Sequence, residues 1–242
     1  MNRRIVVGLI LVWMGFAAIH AQDFEHAFQE VQEAFEVRSA NAQQSLKAYL
    51  ADYPYTPYID EVYTMQGILL TEQKQYKAAV QIMGKVDVKQ LSRKIIPLYN
   101  FHMGYAYFQM GEESKALTYL QRLKKKDNPY ALQATYYVGC CYYNQREYGK
   151  ALVEFLTLEQ TGGYQQIAPY YIVQIYYAQG EYDRVLERAE VLLADYPKND
   201  YNDELHRIAG EIYYRDSVYE KAASHLKDYH QLRIEKKQEI LR

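Results

Sequence analysis

A small residue recurs along this chain with helical-array timing: Gly67, Gly104, Gly139 and Gly210, with Val173 filling the one missing place, at spacings of 37, 35, 34 and 37 residues. Three residues after each stand Leu70, Tyr107, Tyr142, Tyr176 and Tyr213, and nine after stand Tyr76, Glu113, Tyr148, Tyr182 and Tyr219. Twelve after come Ala79, Ala116, Ala151, Val185 and Ala222, and sixteen after come Met83, Leu120, Phe155, Ala189 and Leu226. A period in this range marks a stacked array, in which one supersecondary unit cannot bury its apolar face alone and leans on its neighbours. The small residues let two helices approach closely, and the rings fill the wedge between repeats. A degenerate copy precedes these five: Ala42, Leu46, Tyr49 and Pro54 lie 37 residues upstream of their counterparts. Leu50 to Pro54 also recurs verbatim at Leu193 to Pro197, four periods on. All six prolines fall between expected helices or in a first helical turn, where a missing N–H costs nothing. No stretch alternates as a strand would, so the pattern predicts an all-α superhelix of antiparallel helix pairs.

These residues resemble the tetratricopeptide repeat family, whose template runs aromatic, Leu-Gly, Tyr, then Ala and Phe, then Pro. The resemblance implies about six repeats, near 23–56, 57–93, 94–128, 129–163, 164–199 and 200–234. The chain departs from the template at its first aromatic place, which holds Tyr63, Asn100, Thr135, Pro169 and His206. In that family the concave groove is lined by first-helix residues three before, one after and four after the glycine. Carried over, these positions give Phe101, Tyr105, Phe108, Tyr136, Tyr143, Tyr170, Tyr177 and Tyr214 as an aromatic stripe, with Arg207 as a cation at one end and Arg215 next to Tyr214 beside it. The family's carboxylate clamp of Lys and Asn is not present at these places. The resemblance therefore implies a groove for an apolar or aromatic extended segment of a partner protein, with stacked cell-wall or capsule sugars as the alternative ligand. Polar-tipped rings suit either, because they bury area at small rotamer cost.

Composition narrows the function further. Lys and Arg number 28 against 30 Asp and Glu, so no basic excess points to nucleic acid. Tyrosine is the anomaly, at 28 residues against 7 Phe and 1 Trp. Met1 to Ala21 combines Arg3 and Arg4, an apolar run from Ile5 to Ala18 and the small Ala21, which reads as a secretory signal over residues 1–21. That run is too short for a membrane-spanning helix. Export to the periplasm or the outer-membrane region follows as the expected localisation, with residues 22–242 as the repeat domain. The two cysteines, Cys140 and Cys141, are adjacent and read as small buried thiols. No nucleophile motif, phosphate loop or metal-ligand spacing occurs, and the scattered histidines, including His102, His206, His225 and His230, read as packed or solvated. No enzyme, cofactor or metal is expected. The expected function is a non-catalytic scaffold of the bacterial cell envelope, of the outer-membrane-assembly kind. Past Leu226 the chain runs through Leu232 and Ile234 to Ile240, Leu241 and Arg242 and ends where another first helix would begin, so this end is expected to continue or to stack on a partner.

Overall fold

The computed structural model describes residues 24–124 and 128–240. The expected leader, residues 1–21, lies outside them. Among the described residues twelve α-helices follow one another in chain order: α1 (24–36), α2 (Ala42–Asp52), α3 (Ile59–Glu72), α4 (Tyr76–Met83), α5 (Ile95–Gln109), α6 (Glu113–Leu120), α7 (Ala131–Asn144), α8 (Tyr148–Leu158), α9 (Ile167–Gln179), α10 (Tyr182–Asp195), α11 (Asn202–Arg215) and α12 (Tyr219–Ile240), with α1 paired with α2, α3 with α4, α7 with α8, α9 with α10 and α11 with α12. No strand occurs among the described residues. The fold is an α-solenoid of helix pairs, in which second helices pack on the next first helix: α4 on α5, α8 on α9, α10 on α11. The chain divides into two compact units, one ending at Glu112 and one beginning at Glu113.

Helix-to-helix turns repeat one local motif. Lys74, Arg146 and Ser217 (φ 60°, 61° and 61°) and Gly111 and Gly180 (φ 71° and 75°) each stand seven residues after the recurring small residue and adopt the left-handed conformation. At Gly180 the N–H bonds back to Tyr177 O at 3.1 Å and the next N–H, of Glu181, reaches Tyr176 O at 2.9 Å. The same pair of bonds forms at the other four turns. This is a Schellman cap, which satisfies two carbonyls that the end of the first helix would leave orphaned. Arg38 (φ 52°) repeats it between α1 and α2. First helices are entered by another recurring turn: Tyr58 N–H bonds Thr56 Oγ1, Tyr130 N–H bonds Asn128 Oδ1 and Tyr201 N–H bonds Asn199 Oδ1, at 3.3, 2.9 and 3.1 Å. Side chains of this type mimic a backbone turn. The verbatim Leu50–Pro54 and Leu193–Pro197 segments end their helices alike, with Tyr53 at φ −126°, ψ 64° and Tyr196 at φ −129°, ψ 68°. A following proline bars the helical region at both.

At Gly67, Gly139 and Gly210 the small residue does the work the sequence assigns to it, and the partner in each contact is the residue sixteen on. A Cβ at Gly67 would strike the Met83 side chain, one at Gly139 would lie 3.0 Å from Phe155, and one at Gly210 would lie 2.8 Å from Leu226. Where Val173 replaces the glycine, the residue sixteen on is Ala189, and both are fully buried. Volume lost on one helix is thus recovered on the other, which keeps interior packing dense. Gly149, by contrast, has nothing within 4 Å of an added Cβ.

In the last pair, helix α12 continues unbroken through residue 234, the expected end of the sixth repeat, to Ile240. Lys236 Nζ holds this extension to α11 through Asp203 Oδ1 at 2.6 Å and to the preceding loop through the Asp200 carbonyl at 2.5 Å.

Candidate functional site

The ten residues expected in a groove fall in both compact units. In the first, Phe101 and Tyr105 lie half-buried one turn apart on α5 with parallel rings, centroids 6.1 Å apart, and Tyr105 stands edge-on to Tyr76 at 6.0 Å. Phe108, also half-buried, follows on the same helix.

The second unit brings most of the remainder into one surface. Tyr143 on α7 and Tyr170 and Tyr177 on α9 are half-buried and stand at equivalent helix-face positions, seven residues separating the latter two. Tyr170 stacks on Tyr201 with centroids 4.3 Å apart. Burial pushes the Tyr170 phenol up to about 12, with the nearby Glu204 charge adding to it. Burial also raises Tyr143, followed by the charges of Tyr148 and again Glu204. Glu204 lies on α11, where Arg207 grips both its oxygens, from Nε at 2.9 Å and Nη2 at 2.5 Å. The same guanidinium reaches Glu211 Oε1 at 2.6 Å, and the Tyr177 hydroxyl donates to Glu211 Oε2 at 2.9 Å. That last bond is the main reason the Tyr177 phenol is raised. A continuous tyrosine and carboxylate surface therefore runs over α7, α9 and α11.

Other expected residues take different roles. The Tyr136 ring packs on Phe155, Tyr164 and Tyr171, with centroids at 6.3, 5.8 and 6.0 Å, and burial raises its phenol strongly. It is half-buried, as Tyr143 and Tyr170 are, and shares with both of them the neighbouring ring of Tyr171. Tyr214 is 65% exposed and stands edge-on to Tyr219 at 5.7 Å. Tyr143 with Tyr148 and Tyr177 with Tyr182 form the same T-shaped pair, at 5.8 and 6.0 Å. The rings four after and nine after the small residue thus meet across each helix turn of this unit, a partnership that spacing alone did not suggest. Neither expected cation stands free: Arg207 is held by two carboxylates, and Arg215 bonds Asp216 while lying over the Tyr182 ring, 3.7 Å from its centroid.

A second repeated contact lies about 100° round the first helices, at the residue before each of Tyr143, Tyr177 and Tyr214. Lys150 covers the Tyr142 ring at 5.4 Å, Arg184 the Tyr176 ring at 5.3 Å and Lys221 the Tyr213 ring at 4.9 Å. The Tyr176 member forms the floor of a cleft of about 460 Å³ between the end of α8 and α10, whose Arg188 pairs with Glu159 and whose Arg184 pairs with Glu181.

The place one after the small residue gives Glu211 in the sixth repeat, but sequence reasoning missed Glu204, Tyr171 and Tyr201 as members of the surface. Glu204 was legible as the i−3 partner of Arg207 on one helix. It also missed that His206 and His225 meet, Nδ1 to Nδ1 at 3.0 Å, with Glu190 3.4 Å from the far nitrogen of His225. Among the described residues no group of three or more His, Cys, Asp or Glu is arranged to hold a metal ion. Burial pushes the Cys140 thiol up to about 11 and that of Cys141 to about 12, which makes both poor nucleophiles at neutral pH. The arrangement offers shape, rings and charge for binding. Ring faces that a sugar would need are taken by protein rings at Tyr170 and Tyr201, and at Phe155 and Tyr171, stacked 4.5 Å apart.

The tetratricopeptide repeat family model matches residues 100–127. No curated protein sequence matches the chain significantly. Among solved structures, the chain is similar to MamA of MSR-1, at TM-score 0.60 and 19% identity over 74% of this chain and 99% of that one. MamA of AMB-1 gives TM-score 0.59 and 19% identity over 72% and 91%. A tetratricopeptide repeat protein from Parabacteroides merdae ATCC 43184 gives TM-score 0.58 and 18% identity over 87% and 93%. These likenesses establish the tetratricopeptide-type fold.

Proposed function

We propose that this chain is a non-catalytic scaffold of the bacterial cell envelope, exported by its N-terminal leader, that holds an extended segment of a partner protein on the tyrosine face of its first helices. The tetratricopeptide-type fold is in general a protein-interaction architecture, and its chemistry is recognition. The observation that carries the finer reading is the surface over α7, α9 and α11, where Tyr143, Tyr170 and Tyr177 stay half-exposed beside the carboxylates of Glu204 and Glu211. Amphipathic rings partly open to solvent bury large areas on contact without first being unpacked. The Arg3-Arg4, Ile5–Ala18, Ala21 pattern supports export.

The test is capture from an envelope extract by the purified chain, beside a variant carrying Tyr143→Ala, Tyr170→Ala and Tyr177→Ala. The wild type should retain a partner that the variant loses, while thermal unfolding of the two stays comparable, because aromatic hot spots typically each contribute about 2 kcal/mol or more to binding. Equal capture by both proteins would remove this face from the function.

A further inference from the structure

The charges on the tyrosine face do not cancel. Glu204 and Glu211 each carry one negative charge, and the only cation between them, Arg207, is already committed to three of their four carboxylate oxygens. The fourth, Glu211 Oε2, accepts the Tyr177 hydroxyl. The cluster therefore keeps one net negative charge, framed by the Tyr143, Tyr170 and Tyr177 rings. An acidic ligand would have to strip Arg207 from a two-pronged carboxylate grip, whose geometry is hard to improve on. A cationic side chain needs no such exchange. It meets ring electrons and a carboxylate pair together, each of which attracts it.

We propose that the segment held on this face is basic: an extended peptide whose Lys or Arg side chain enters between the Tyr143–Tyr170 rings and the Glu204–Arg207–Glu211 cluster. This rests on the scaffold reading above and specifies the chemistry of its partner. The placement is supported by the Tyr177 hydroxyl, which bonds Glu211 Oε2 at 2.9 Å and so sets the carboxylate pair held by Arg207 against the ring face. It runs opposite to a clamp for a terminal carboxylate, which needs free cations where this surface has paired ones.

The experiment uses the full chain without its leader and three blocked peptides of one length, alternating phenylalanine with lysine, with serine or with glutamate, read by fluorescence anisotropy. The lysine peptide should bind about tenfold tighter than the serine peptide and the glutamate peptide should bind weakest, since one favourable charge contact is commonly worth that factor or more. Salt should narrow the differences. Glu204→Gln combined with Glu211→Gln turns the local charge from negative to positive and should reverse the order, whereas Glu187→Gln with Asp195→Asn, on the cleft beside α10, should leave it intact. Arg207→Gln, which makes the cluster more negative, should strengthen lysine-peptide binding and serves should the double variant not fold. Equal affinity for all three peptides, or an order that survives the charge reversal, overturns the basic ligand and leaves the scaffold reading standing. No binding of any peptide overturns the tyrosine face itself.

Discussion

The exchange of volume between paired helices can be tested by writing one repeat's solution into another. At Gly139 an added Cβ would lie 3.0 and 3.1 Å from Phe155 Cζ and Cε1 and 3.2 Å from Glu154 Cβ. The Phe155 ring cannot retreat, because Tyr171 is stacked on it 4.5 Å away with planes 3° apart. Gly139→Val should therefore cost about 1–3 kcal/mol by overpacking, reduced by a few tenths because valine is the better helix former. Phe155→Ala empties a fully buried ring site and should cost about 3–5 kcal/mol. The double variant recreates the Val173 and Ala189 combination, in which the branched side chain occupies the room that the aromatic ring leaves. Its cost should fall short of the sum of the single costs by about 1–3 kcal/mol, the coupling expected of residues in direct contact. Urea unfolding followed by far-ultraviolet circular dichroism measures all three. Gly149→Val is the control and should change stability by no more than about 0.5 kcal/mol, as surface changes do. Strictly additive costs, or a control as damaging as Gly139→Val, would refute the pairing.

Stability of the first compact unit should depend on acid through His102. Burial, followed by the nearby Arg38 charge, lowers its pKa from 6.5 to about 4, so the folded chain holds it neutral. Its full contribution is present above pH 6.5 and is lost as pH falls towards 4, a decline of roughly 3 kcal/mol by the usual 1.36 per pKa unit. His102→Leu should flatten that decline in urea midpoints measured from pH 7 to 4, and an unchanged slope would show that other groups set it. Gly180→Ala should lose about 1 kcal/mol, since an L residue is strained at its φ of 75°, while Arg146→Gly, at a non-glycine position of the same kind, should lose nothing or gain slightly. Equal effects of the two changes on thermal unfolding would contradict the shared turn geometry. N-terminal sequencing of the protein from its native host should begin at or near Gln22, and a start at Met1 would dispose of the leader.

How much of this the chain displays in advance depends on the kind of signal. Volume speaks plainly: glycine at fixed intervals, with a large residue sixteen on, announced the helix crossings that Gly67, Gly139 and Gly210 make. Conformation speaks only through glycine. Gly111 and Gly180 marked their turns, but Lys74, Arg146 and Ser217 adopt the same left-handed state and carry no such mark. Face assignment is harder still. The place three before the small residue gave Tyr136 and Tyr170, both half-buried, yet Tyr136 meets Phe155 while Tyr170 stacks on Tyr201. Periodicity reports which residues share a helix side, and the neighbouring helix decides what meets them. The meeting of His206 and His225, on α11 and α12, is of this second sort and no spacing rule announces it.

The recurrent cap between first and second helices bears on the order in which this protein assembles. Both of its hydrogen bonds, such as Gly180 to Tyr177 and Glu181 to Tyr176, join residues three and five apart. The crossing it creates, Gly139 against Phe155 for instance, joins residues sixteen apart. Closing so short a loop sacrifices little chain entropy, and contacts this local form quickly. A helical hairpin is thus the folding quantum of the molecule, able to close as soon as its second strand of sequence is available and before any distant segment exists. Hydrogen exchange should then register protection arriving two helices at a time, with each completed hairpin offering the template on which the next one condenses.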